Sequence, residues 1–194
     1  MGGDYLDKVL IVSYSEKAKD TLCQLLKEYH NVQIITTSSA SKARRYVTNN
    51  EVAIAIINTP LKEETGTQLS LDFARLNIGT ILMVKSEIVE QISADVEFAG
   101  VFVLQKPIIK PMFYQAFKMQ MALKNRLLNL KKENEKLRNK IEEIKIVDRA
   151  KLILMENENL NEEQAHKYIE KQAMNERVSR YLVAKDILIK YNIM

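Results

Sequence analysis

The sequence predicts an α/β domain on a five-stranded parallel sheet, then one long coiled-coil helix, then a small bundle of helices. Three observations carry this reading. Short continuous apolar runs alternate with helix-periodic stretches over residues 7–110. No proline follows Pro111 and no glycine follows Gly100, so the rest of the chain has no strong helix breaker. From Leu123 onward, apolar residues recur at spacings of four and three before the pattern broadens near Ile146.

Taken in order, Val9 to Val12 is an unbroken apolar run, as a strand covered on both faces requires. Ser15 caps a helix through Tyr29 whose apolar face is Ala18, Leu22, Leu25 and Leu26. Val32 to Thr36 is a second strand and Ser39 to Asn49 a second helix. Val52 to Ile57 is apolar throughout and reads as a central strand. Thr67 to Leu76 is helical, Thr80 to Val84 a strand, Glu87 to Phe98 helical and Val101 to Leu104 the fifth strand. Five β/α units imply a parallel sheet with helices on both faces, whose ligands sit at the carboxyl ends of the strands.

Order and spacing over residues 7–120 resemble the receiver domain of two-component response regulators, a flavodoxin-like fold. The local matches are Asn58-Thr59-Pro60 with Gly66 after the third strand, and Lys106-Pro107 after the fifth. The resemblance implies a phosphoacceptor pocket, and the residues present make it degenerate. The acidic pair that holds Mg²⁺ is replaced by Ser13 and Tyr14, the acceptor Asp by Asn58, and the hydroxyl residue by Val84; only Lys106 remains. Mg²⁺ takes carboxylate oxygens, and a neutral amide forms no acyl phosphate. Glu16 and Asp20 fall on the outer face of the first helix. Lys106 is expected to bond Asn58 or a loop carbonyl.

Residues 112 to about 156 read as one helix. Leu123, Leu130, Leu137 and Ile144 fall at heptad d, with Leu127, Asn134 and Ile141 at a. Extended backwards, the register puts Gln120 and Phe113 at a and Ala116 at d. This is the seam of a parallel homodimer, and a single Asn134 at a fixes its register. Between flanking positions, Glu133 attracts the partner's Arg138, whereas Arg126–Lys131 and Lys140–Lys145 repel.

Beyond the seam, Glu156 to Asn159 breaks the helix. Asn161 to Gln164 is a capping box, followed by a helix with Ala165, Tyr168, Ile169 and Gln172 or Ala173 inward. Asn175 caps a last helix with Val178, Leu182, Ile187, Tyr181 and Leu188 inward. Val147-Asp148-Arg149-Ala150-Lys151-Leu152-Ile153-Leu154-Met155, Asn161 to Ala165, Ala173-Met174 and Ala184 to Leu188 resemble the ANTAR domain. One position departs, Leu152, where the family usually has glycine. The resemblance implies a regulator that binds paired stem-loops in nascent mRNA leaders and lets transcription pass a terminator. Expected RNA contacts are Arg149, Lys151, Lys171, Arg177, Arg180 and Lys185, with Lys167, Tyr168 and Tyr181 as further candidates. Lys151 alone comes from the motif; the others follow from charge and helical position. The expected domains are 1–111, a linker helix 112–145 and 146–194.

Composition narrows the remaining classes. Residues 1–112 hold 12 Lys+Arg against 13 Asp+Glu, and residues 113–194 hold 17 against 12, so the basic excess lies in the C-terminal part. That suits a polyanion partner. A basic-zipper DNA-binding regulator, the first alternative, needs a basic helix before the heptads, and Phe113 to Ala122 holds only Lys118. A protein-interaction module without nucleic acid is the second. The two histidines, His30 and His166, fall on polar surfaces, and the single Cys23 reads as a small hydrophobe. No zinc spacing or phosphate loop appears, so neither enzyme chemistry nor a cofactor is expected. The lone cysteine and the lack of a long apolar run point to a cytoplasmic protein without a membrane partner. Without phosphorylation chemistry, the input is expected from a protein or a ligand at the strand ends.

Overall fold

The computed structural model describes residues 6–193. They divide into two compact units, one ending at Leu128 and the other beginning at Asn129.

The first unit alternates strands and helices: β1 (Asp7–Ser13), α1 (Glu16–Leu26), β2 (Val32–Thr37), α2 (Ala40–Asn49), β3 (Ile54–Asn58), α3 (Thr67–Arg75), β4 (Gly79–Lys85), α4 (Val89–Val96) and β5 (Phe102–Lys106). The first turns of α5 (Lys110–Glu158) complete it. All strand pairs are parallel, in the order β2-β1-β3-β4-β5. β3 lies in the middle and every residue of it is buried, which is why its sequence is apolar without alternation. Strand alternation sends Val9, Ile11, Ile54 and Ile56 to the face covered by α1 and α5, and Leu10, Val12, Ala55 and Ile57 to the face covered by α2, α3 and α4.

Local chemistry sets the helix starts. Ser15 and Ser39 accept from the backbone N–H groups of Ala18 and Lys42. Gly66 starts α3 at φ +92°, and a Cβ there would sit 3.1 Å from Ile57 and Thr59 side chains. Several boundaries differ from expectation. α1 ends at Leu26, and Tyr29 leaves the helix so that its ring packs on Phe117, centroids 4.6 Å apart. The helix expected over 87–98 is a short α4 between two 3-10 turns, stopped at Gly100 with φ +82°. β3 starts at Ile54 rather than Val52, and β5 runs Phe102–Lys106 rather than 101–104.

The largest difference concerns α5. The helix starts at Lys110, and Phe113, Ala116 and Phe117 are fully buried against the sheet. Gln120 is 5% exposed and donates from Nε2 to the Gly100 carbonyl at 3.2 Å. The backward extension of the heptads through Phe113, Ala116 and Gln120 is therefore corrected: these side chains form the α/β core and meet no partner. A division at residue 111 would cut these contacts. The α/β domain needs the first three turns of α5 to close one face of its sheet.

The second unit comprises the rest of α5 with α6 (Glu162–Glu176) and α7 (Arg180–Lys190). Ile146, Ala150 and Leu154 of α5 meet Ala165, Ile169 and Ala173 of α6 and Val183, Ala184, Ile187 and Leu188 of α7. Alanine at four of these positions lets the helices approach closely. The capping box is formed in both directions: Gln164 N–H donates to Asn161 Oδ1 and Asn161 N–H to Gln164 Oε1, each at 2.9 Å. Asn175 does not cap the last helix. α6 runs past it to Glu176, Arg177 closes α6 at φ +55°, and Ser179 caps α7. That shift turns Val183 and Ala184 inward and leaves Val178 and Leu182 exposed, against expectation; on α6, Tyr168 is likewise exposed rather than inward.

Candidate functional site

Parallel pairing brings the carboxyl ends of β1, β3, β4 and β5 together. Ser13 lies opposite Asn58, Asn58 opposite Met83, and Lys85 opposite Lys106. Asn58 Nδ2 donates to Ser13 Oγ at 2.9 Å, and Ser13 Oγ donates to the Ser15 carbonyl at 3.1 Å. Lys106 Nζ donates to Asn58 Oδ1 at 3.1 Å and to the Thr59 carbonyl. Thr59 Oγ1 donates to the Met83 carbonyl at 2.8 Å. Each polar atom of this chain of bonds is thus engaged. Burial, reinforced by Lys85, pushes the Lys106 ammonium below the ordinary lysine value. Val84 is buried, and Tyr14 points away, 59% exposed. Of the five residues expected in this pocket, Ser13, Asn58 and Lys106 interact, Val84 lines the end of β4, and Tyr14 stands apart. The chain of bonds contains no carboxylate, and among the described residues no group of three or more His, Cys, Asp or Glu is placed to hold a metal ion.

The loop after β3 is fixed on its outer side. Glu63 accepts from Ser39 Oγ at 2.6 Å and from the Ser41 N–H and Oγ at 3.1 and 3.0 Å, at the start of α2. These bonds hold the Glu63 carboxyl below the ordinary value, the Ser39 hydroxyl first among them. Arg44 forks onto both Glu64 oxygens at 3.0 and 3.1 Å and reaches Asp72 at 2.8 Å. Sequence reasoning missed this clamp because its members lie on α2, the loop and α3, and no local spacing joins them.

In the second unit, Lys151 is 15% exposed and bridges Asp148 at 2.8 Å and Glu162 at 3.3 Å, tying α5 to the first turn of α6. The hydrogen bond to Asp148 is the chief reason its pKa is raised. Arg180 pairs with Glu170 at 3.0 Å, and Glu170 also meets His166 at 3.3 Å. Lys167 pairs with Glu163 at 2.6 Å. Lys151, His166, Arg180 and Tyr181 line an open groove of about 570 Å³, whose apolar wall is Ile144, Val147 and Val178. Arg149, Lys171, Arg177 and Lys185 lie outside it and form no ion pair among the described residues. Arg149, Lys171 and Arg177 are exposed, and Lys185 is half-buried. The six expected contacts therefore do not converge on one spot. His166, taken from sequence as a solvated surface residue, is half-buried in the groove wall; its i,i+4 spacing to Glu170 was the available signal. His30 is exposed, and Cys23 is half-buried with its thiol pKa raised by burial.

Along α5, the expected seam side chains are open. Leu123, Leu127, Leu130, Leu137, Ile141 and Ile144 are each 40–61% exposed, and Asn134 is exposed among them.

Against this geometry, the family model for the ANTAR domain matches residues 135–188. The chain carries an ANTAR domain. Its boundaries take in the last heptads of α5 and all the buried contacts of α6 and α7 up to Leu188. The domain ahead of the ANTAR domain has the receiver fold. The signal receiver domain of an HD domain-containing protein from Pseudomonas fluorescens Pf-5 is 17% identical with a TM-score of 0.59, covering 66% of this chain and 96% of that one. A response regulator receiver domain protein from Clostridium thermocellum is 17% identical with a TM-score of 0.56, covering 63% and 99%. A structure of adenylate cyclase from Rhodopirellula baltica is 18% identical with a TM-score of 0.58, covering 67% and 97%. At such identities these likenesses establish the fold alone. Comparison with curated proteins found no match. The chain thus combines a domain of receiver fold with an ANTAR-matching helical segment. No helix among the described residues is long and apolar enough to cross a membrane.

Proposed function

We propose that the chain is a dimeric, RNA-binding transcription antiterminator whose receiver-like domain takes no phosphate. The ANTAR match over residues 135–188 carries this reading. Domains of that family bind stem-loops in nascent mRNA leaders, which makes the cytoplasm the working compartment. Its role is binding, with no reaction catalysed and no cofactor required.

Three features support the finer points. At the strand ends Asn58, Ser13 and Lys106 satisfy one another, with no carboxylate to accept a phosphoryl group or hold Mg²⁺. Input then comes through a protein or ligand at this domain. Along α5 the exposed stripe from Leu123 to Ile144 keeps heptad spacing with a single asparagine at a, which suits a parallel dimer. Of the six expected contacts, Arg149, Lys171, Arg177 and Lys185 are the ones left open to phosphates, because Lys151 and Arg180 already meet carboxylates.

The deciding experiment is a gel-shift titration of the purified chain against tandem stem-loop leaders from its own genome at two salt concentrations. Specific binding that weakens as salt rises is the expected result. No binding to any such leader overturns the assignment. Incubation with a small-molecule phosphodonor and Mg²⁺ should leave the intact mass unchanged; an added phosphoryl group lost in Asn58→Ala contradicts the second half of the proposal.

A further inference from the structure

The heptad count can be carried past Ile144, although its next a and d positions are charged. It assigns Val147 to g, Asp148 to a, Lys151 to d, Leu152 to e and Met155 to a. At roughly 100° per residue, the side chains that α5 buries in its own bundle (Ile146, Ala150 and Leu154) fall at f, c and g. On the other side of the helix, Met155 at a still packs against the bundle and Lys151 at d is bonded to Glu162, whereas the e position is left outside. There stands Leu152, 55% exposed, with no apolar cover from its own chain. The groove described above opens on the g and d side of the same stretch, between Ile144 and Val147 of α5 and Val178 to Tyr181 around the start of α7.

In a parallel two-stranded coil, a g residue faces the partner's e residue five positions on. Val147 then faces residue 152 of the second copy. We infer that the dimer interface continues past the seam, with Leu152 of each copy seated on the Ile144–Val147–Val178 wall of the other copy's groove. Asp148 and Lys151 make the middle of the interface polar at this level and neutralise each other at 2.8 Å. The apolar contact accordingly moves out to the g and e flanks. By two-fold symmetry the contact occurs twice, and it joins the two ANTAR domains directly instead of leaving them tethered by the coil alone. Its space is ample for an aliphatic side chain and part of the helix that carries it. The occupant is a second copy because the register that defines the seam also supplies the leucine.

This inference rests on the parallel-dimer reading, so the test separates the two. All variants are made in the full chain with Cys23→Ser, which leaves no other thiol. Leu137→Cys, at d in the middle of the seam, reports on the dimer itself and should form a disulfide-linked dimer with diamide. Chains with Val147→Cys and with Leu152→Cys are given different tags, mixed and oxidised. The mixed pair should cross-link as readily as Leu137→Cys, and each variant alone should give little. Cross-linking at Leu137 without it in the 147/152 mixture overturns this inference and leaves the dimer standing. No cross-link at Leu137 overturns both. As a second measurement, Leu152→Gln keeps helix propensity and removes the apolar contact. Sedimentation should show self-association about tenfold weaker, with unchanged circular dichroism. An unchanged dissociation constant overturns the inference.

Discussion

At the residue scale, Asn58 shows how a polar side chain is kept in a buried position. Its amide both donates and accepts, so Ser13 and Lys106 are satisfied by one group. Asn58→Ala would leave the Lys106 ammonium, already depressed by burial, without one of its two acceptors. A cost of about 1–3 kcal/mol is expected, measurable as a lower urea midpoint with unchanged slope. Lys151 poses a different question, because the motif that singled it out does not say what it touches. Its bonds to Asp148 and Glu162 join two helices. Lys151→Ala should therefore lower the stability of the helical unit by about 1 kcal/mol. Lys171→Ala, at an exposed position, should leave the melting temperature unchanged and weaken RNA binding. Thermal melts and gel shifts on both variants check this; a Lys151→Ala protein with wild-type stability would show that the bridge contributes nothing.

At the element scale, the start of α2 depends on a carboxylate from outside the helix. Glu63 is held below the ordinary glutamate value of about 4.3, chiefly by the Ser39 hydroxyl. A carboxyl depressed in the folded state contributes stability above its unfolded value and loses it as pH falls through the folded one. Asp72 acts in the same direction: burial alone would raise its pKa, but bonds from Gln68 and Arg44 outweigh it. Glu63→Gln should therefore be less stable than wild type at pH 7. The gap should narrow as pH falls below the ordinary glutamate value and close once the folded carboxyl is protonated, as followed by denaturation at a series of pH values. A second prediction concerns α5, whose apolar residues are buried in its first turns and exposed from Leu123 to Ile144. Phe117→Ala removes a fully buried ring and should cost about 3–5 kcal/mol. Leu137→Ala, 61% exposed, should leave the α/β domain's unfolding unchanged and affect only self-association. Equal effects on α/β unfolding would contradict the division of α5 into core and seam.

At the scale of the whole molecule, the proposed parallel dimer would hold two ANTAR domains together, so that they act on RNA by effective concentration. Once one stem-loop is held, the second binds as an intramolecular partner. A leader with two stem-loops should bind at least about 100-fold more tightly than either alone. Both affinities should fall with salt, because lysine and arginine release counterions from phosphates. Titration of single and tandem leaders at matched salt measures both; equal affinities would mean that the copies act independently.

The sequence by itself determined the local features. Ser15, Ser39 and the Asn161–Gln164 box mark helix starts because a cap is made within four residues. The unbroken apolar run in β3 marks a central strand because both its faces are covered. The bond between Lys106 and Asn58 was legible too, since strand order places both at one end of the sheet. Only the tertiary structure decided what covers an apolar stripe. Phe113 and Ala116 fall in the same heptad register as Leu123 and Leu130, yet the sheet covers the first pair and the second pair is open. Asn175 and Ser179 are both good caps, and the packing of Val183 and Ala184 against α5 and α6 chose Ser179. Periodicity records which side of a helix avoids water; which surface lies against that side depends on residues far away in the chain.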